Sequence, residues 1–280
     1  MAIYLANMGY KITAVVRKKQ WEHKNINFIV GDLFDIEKFK ILKSDFDIVV
    51  HMAAYVGMYE KFGRLFRDNY LVTEKIINFF KESGVYLIYF SSIEAFGPTT
   101  EIMVNEEDIP IPITDYGKIK LKIENLIKKS GIKYSILRIG NVESKNKGII
   151  FSLKQLISQN TLYAKVQCFI LKQLLSDYEL NAIQINDISE IVSKLIVVKP
   201  NNKLYFATNQ RVSMETLFGK ANRKSILLFS LFIFVSRIVS YLKLSHIIGY
   251  IALGGFKRKY RNYNNKRIVS DLDIQFSKVL

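Results

Sequence analysis

Tyr116 and Lys120, four residues apart in the run DYGKIK, have the types and the spacing to move a proton. On a helix that interval places a phenol and an ammonium on one face, close enough for the cation to stabilise a phenolate. No other tyrosine in the chain is followed by a lysine at that distance. Two hydroxyls, Ser91 and Ser92, close the apolar, aromatic run at 87–90. A tyrosine held near neutral pKa beside a serine can exchange a proton with the oxygen of a substrate alcohol or carbonyl. Because the chain is rich in tyrosine and lysine, a solvated helix face is the competing reading of the pair, and the surrounding elements decide between them.

Those elements are legible from pattern. Residues 87–90 have strand character, as do the short apolar runs at 10–16, 27–30, 47–51 and 134–138. From Asp115 the apolar positions Ile119, Ile123, Leu126 and Ile127 recur at helical spacing until Gly131, which places Tyr116 and Lys120 on a helix. Residues 1–9 read as the last turns of an amphipathic helix closed by Gly9, and Asn69 reads as opening a helix through Ser83. Strands alternating with helices imply an α/β chain with a parallel sheet, whose ligands bind outside the carboxyl ends of the strands. Ser91 and Ser92 stand at such an end. After residue 147 the character changes to a helix at 149–159, an irregular stretch holding Cys168, and a strand and helix over 181–198 with Asp187 at the helix start.

At 280 residues and 49% hydrophobic content the chain can bury one large core or two modest ones. The net charge of +16 is spread along the whole length, so it reads as solvated surface rather than a nucleic-acid site; only 257–267 forms a basic cluster. The single cysteine excludes an intrachain disulfide and fits a reducing compartment. His23, His51 and His246 lack ligand spacing, so no metal site is expected, and His51 reads as a core residue. The opening has no basic leader, which fits a cytoplasmic protein. The apolar stretch from 225 followed by the basic cluster, 225–267 together, is too interrupted to span a bilayer; it could lie on a membrane surface or pack against the protein.

Seven landmarks then occur in one order: GDLFD at 31–35, VVHMAA at 49–54, Asn69, FSSIEAFG at 90–97, YGKIK at 116–120, LRIGNVES at 137–144 and IQINDISEIV at 183–192. In that order they resemble the extended short-chain dehydrogenase/reductases, the NAD(P)-dependent epimerase/dehydratase family of nucleotide-sugar enzymes. The resemblance implies a Rossmann-type doubly wound parallel sheet with a smaller C-terminal substrate domain. It divides the chain into 1–147, which binds the dinucleotide, and 148–280, which mainly binds substrate, with 181–198 and 204–208 returning to the main domain; 204–208 and 212–214 match the strand and the helix start that return to the main sheet. It implies catalytic roles for Ser92, Tyr116 and Lys120, with Lys120 lowering the phenol's pKa and holding the nicotinamide ribose. Asp32 would meet the adenine amino group and Leu33 its ring, although Gly31-Asp32 could be an ordinary turn. Ala53 and Ala54 would approach the cofactor closely, Asn69 would brace the active-site strands or cap a helix, and Asn141 would lie on the nicotinamide side. Glu106 matches a frequent acid of the cleft.

The cofactor implied is NADP or NAD. Arg17, where an NAD site would carry an acid on the ribose hydroxyl, tilts the choice to NADP. The partner implied is a nucleotide sugar or another small carbonyl or alcohol, in a homodimer. Three departures stand out: Ile139 replaces a proline, Glu143-Ser144 replaces a Tyr-Gly pair, and Gln184 replaces a histidine. The glycine-rich turn and first strand of the family are not in this sequence, and without that central strand the sheet should be interrupted, its neighbours keeping unpaired edges. A ketone or aldehyde reductase of the hydroxysteroid or dihydroflavonol type, and a relative that no longer binds cofactor, are the rival readings.

Overall fold

The computed structural model describes residues 1–19, 21–39, 46–56, 62–97, 103–174, 179–219 and 262–278. Helix α1 (Ala2–Asn7) ends before Gly9, whose φ of +92° turns the chain into β1 (Ile12–Val16). Strand β1 pairs in parallel with β2 (Ile26–Val30) and with no other described strand. A second, four-stranded parallel sheet has the order β3 (Ile48–His51), β4 (Tyr86–Ser92), β5 (Lys133–Ile139) and β8 (Lys203–Ala207). The third sheet, β6 (Asn141–Glu143), β7 (Glu179–Gln184) and β9 (Gln210–Ser213), is separate.

The expected interruption lies between β1 and β3. Val15 and Val49 pack against one apolar core, and Ile12, Ile48 and Val50 against the other, so both strands lie between the same two layers. They share no ladder. One core is formed by α3 (Val72–Phe80) and α4 (Asp115–Lys129) over β4 and β5, with Ile123, Ile127 and Ile136 fully buried. The other packs α7 (Ile185–Val198) and α9 (Lys266–Leu272) on the opposite face. Asp187 accepts hydrogen bonds from the backbone N–H and hydroxyl of Ser277, which straps the end of the described chain to α7.

Three expectations are corrected. Cys168 lies within helix α6 (Leu162–Leu174), not an irregular stretch; that segment carries its apolar residues at less regular spacing than its neighbour α5 (Ile149–Ser158). Asn69 does not open a helix: α2 (Phe62–Leu65) runs through a π-turn (Phe66–Leu71) into α3, and Asn69 is inside that turn. Val212 and Ser213 lie on β9, antiparallel to β7 in the small sheet, and α8 (Met214–Phe218) follows; they do not return to the main sheet. Residues 181–184 also belong to the small sheet, while α7 and β8 pack in the main one. Most of 225–267 lies outside the described residues; among those described, no helix is long and apolar enough to cross a membrane.

Candidate active site

Helix α4 is seated by its own motif. Thr114 caps it by accepting the Gly117 N–H at 3.0 Å. A Cβ at Gly117 would lie 2.2 Å from the carbonyl oxygen of Glu94, so only glycine lets the first turn of α4 rest on the short 3-10 turn Ile93–Ala95. Ser92 caps that turn, its Oγ accepting the Glu94 N–H at 3.2 Å. The seam therefore brings the end of β4, with Ser92, to the turn of α4 that carries Tyr116.

Lys120 is buried. Its Nζ donates to the Tyr89 hydroxyl at 2.9 Å and to the Phe90 carbonyl at 2.8 Å, and sits 5.7 Å from the centroid of the Tyr116 ring. Loss of water pushes the amine down to about 7, against the pull of the Glu124 carboxylate. Burial pushes the half-buried Tyr116 phenol up, and the Glu94 carboxylate pushes it further. The phenol is thus protonated here, opposite to the lowered pKa expected. The physical reason is that the lysine's hydrogen bonds go to β4, and burial draws its own pKa down towards neutral, which weakens the charge it can offer the phenol.

Ser91 has a different setting from Ser92. It points inward and donates to Glu124 at 2.6 Å; Glu124 also accepts from Arg138 Nε at 3.1 Å and Nη2 at 2.8 Å, all three residues being buried. The Arg138 guanidinium lies 5.5 Å from the Phe96 ring centroid and 5.4 Å from that of Phe206.

The residues expected around a dinucleotide lie along the carboxyl ends of β1, β2 and β3. Arg17 is exposed just beyond β1. Asp32 accepts the Phe34 N–H at 2.9 Å and caps the 3-10 helix Leu33–Lys38, and Leu33 packs partly into the core. Ala53 and Ala54 follow β3 with exposed backbone. The Asn69 amide grips Tyr55 by both ends, accepting its N–H and donating to its carbonyl, each at 2.9 Å, and so holds the 52–56 segment. His51 lies beneath. Thr73 gives its hydroxyl proton to the Asn69 carbonyl at 2.7 Å, so His51 Nε2 is the donor in the 2.9 Å contact with Thr73, and burial holds the imidazole neutral with a pKa of about 3. Asn141 spends its amide nitrogen on the Asn181 carbonyl, and Glu106 accepts the Phe206 N–H of β8.

Small exposed backbone beside a buried lysine and a tyrosine fits the nicotinamide and ribose end of a dinucleotide. For the pyrophosphate end the sequence as given has no glycine-rich turn. From sequence, Glu94 opens a turn that lines the cleft, but its effect on the Tyr116 phenol was not foreseen. Its one signal is an acid two residues past Ser92 in an otherwise apolar segment, where a charge must find buried partners.

The family model of the NAD dependent epimerase/dehydratase family matches residues 1–182. The chain belongs to this family. Among curated proteins, a UDP-glucose 4-epimerase of Streptococcus mutans is 35% identical over 131 residues, 43% of this chain and 39% of that protein. A 3 beta-hydroxysteroid dehydrogenase/Delta 5-->4-isomerase of Vaccinia virus is 30% identical over 115 residues, 38% of this chain and 33% of that protein. The matched stretch thus spans less than half the length of either relative. Among solved structures, MoeE5 in complex with UDP-glucuronic acid and NAD superposes with a TM-score of 0.71 over 99% of this chain and 89% of that one, at 17% identity, which establishes the Rossmann-type fold.

Proposed function

We propose that this chain acts on a nucleotide sugar with a nicotinamide dinucleotide as cofactor, at the carboxyl ends of β3, β4 and β5. The observation that carries the reading is Lys120, buried and held by β4 one helical turn from Tyr116. A nicotinamide bound there supplies the hydride acceptor and donor. Tyr116 exchanges a proton with the sugar oxygen, giving its own to a carbonyl and taking one from a hydroxyl only after the Lys120 amine has accepted that proton; Ser92 hydrogen-bonds the same oxygen, and Lys120 would hold the ribose. Ala53 and Ala54 offer backbone to the cofactor, Asn69 and Asn141 keep the rim in place, and Asp32 and Leu33 face the adenine. The family is named for NAD, and Arg17 is the residue that would admit NADP. A homodimer in the cytoplasm completes the proposal.

A reductase acting on a ketone or aldehyde is the second reading. It is favoured by the protonated Tyr116, the state that donates to a carbonyl oxygen, and by the likeness to the viral dehydrogenase/isomerase.

Fluorescence titration with NAD(H) and NADP(H), followed by product analysis on UDP-hexoses, tests both. An epimerase converts sugar with no net consumption of dinucleotide, whereas a reductase consumes it mole for mole. Tyr116→Phe should lower kcat by roughly 10²–10⁴-fold with the fold intact. Absence of both saturable dinucleotide binding and turnover would leave a non-catalytic relative.

A further inference from the structure

Beneath the site lies a buried polar cluster that the chemistry above leaves unused. Glu124 is one helical turn beyond Lys120 and wholly inaccessible to water. Its carboxylate receives three hydrogen bonds: two from Arg138 on β5 and one from Ser91, the neighbour of Ser92 on β4. The backbone carbonyl of Phe90, the residue before Ser91, holds the Lys120 ammonium. With the bond from Lys120 to the Tyr89 hydroxyl, helix and strand are thus joined three times over three consecutive residues of β4. We propose that Glu124 is a positioning residue that sets the charge of Lys120 and clamps it to the strand end carrying Ser92, acting from behind the site without touching substrate. This rests on the reading of Lys120 as a site residue.

The electrostatic argument follows from what surrounds the amine. Its ionisable neighbours are Tyr89 on β4, His51 on β3, and Tyr116 and Glu124 on α4. His51 is neutral at any pH the protein meets, and both phenols keep their protons. Glu94 lies on the far side, against Tyr116, and Asp68 on the adjoining helical segment is paired with Arg64 and Arg67. Glu124 is therefore the anion whose field offsets the burial of Lys120. Arg138 holds that charge in place, and the hydroxyl of Ser91 moderates it.

The test is an NMR titration of the full chain grown with ¹³C-labelled lysine, the Lys120 signal being the one lost in Lys120→Arg. The wild-type midpoint should lie near 7. Glu124→Gln keeps the size of the side chain and one acceptor oxygen but removes the charge, and should shift the midpoint down by about one pH unit or more. Ser91→Ala removes a neutral donor and leaves the carboxylate less compensated, so the midpoint should move up by a few tenths of a pH unit. These opposite signs are not what loosened packing would produce. A folded Glu124→Gln protein with an unmoved midpoint, or a wild-type midpoint near that of free lysine, overturns the proposal. Should Glu124→Gln fail to fold, Ser91→Ala decides alone, and no upward movement overturns it. Where turnover is measurable, the acid limb of kcat/KM should follow the same midpoints. A chain that turns nothing over still answers through the lysine signal, so the proposal and the enzymatic reading fail separately.

Discussion

Two pieces of one layer carry similar sequences and reach different ends. Strand β1 reads ITAVV and β5 reads KYSILRI, both rich in apolar and β-branched residues. Every residue of β1 stays partly exposed, whereas all of β5 after Lys133 is buried. Among the described strands, β5 has a parallel neighbour on each edge and β1 has one on a single edge. A parallel strand is therefore sealed by its neighbours as much as by its own side chains, because an open edge leaves backbone N–H and C=O groups that must stay in reach of water. Under the proposed function this difference becomes a division of labour. Ser92, Tyr116 and Lys120 stand on the sealed half, while Arg17, Asp32 and Leu33 hang on the open one.

The comparison breaks first under core truncation. Ile136→Ala on β5, where the side chain is fully buried, should reduce unfolding free energy by about 2–5 kcal/mol in urea, and Val15→Ala on β1 by about 1 kcal/mol or less. Equal losses would show that the half-exposed strand is as tightly packed as the sheet centre.

The next effect sharpens the contrast through pH, because the buried groups with shifted protonation lie in the sealed half. Unfolded lysine takes up a proton below about 10.5 but Lys120 only below about 7, so in that window the unfolded chain binds more protons and stability rises with pH. The slope should approach about 1.4 kcal/mol per pH unit. His51 acts likewise between pH 3 and 6.5. Above pH 10 the sign reverses, since unfolded tyrosines ionise while Tyr89 and Tyr116 keep their protons. Urea titrations of wild type and Lys120→Met from pH 7 to 9.5 should show the rise only in wild type.

Gly117→Ala is the smallest change and acts on the seam alone. Its new methyl must displace either α4 or the Glu94 turn, with a loss of about 1–3 kcal/mol and a weaker response of Tyr116 to its surroundings. Thermal melts and the ultraviolet titration of the tyrosines read both parts; unaltered melting would mean the seam relaxes freely.

Much of this was legible in advance because it is local. Alternating apolar runs marked β1 to β5 within a residue or two, and helical spacing marked α4 with its stop at Gly131. What escaped was long-range. Nothing near Asn69 in sequence says that its amide will reach Tyr55, fourteen residues earlier. The pairing of Ser91, Glu124 and Arg138 depends on the register of β4 with β5 and on the rotation of α4, and no periodicity reports either. The strand β9 beside β7, where 212–214 reads as a helix start on the main sheet, escaped for the same reason: a short strand does not name its partner.

By itself the amino-acid order determined the alternation of strands and helices, the family, and the presence of a tyrosine, a lysine and a serine suited to proton transfer. Only the tertiary structure decided their surroundings: which serine turns inward to Glu124, which phenol receives the lysine's hydrogen bond, and that burial raises the pKa of Tyr116 and lowers that of Lys120. Residue type sets what a group can do in water, but its pKa and partners are set by which atoms replace that water, and those arrive from distant parts of the chain.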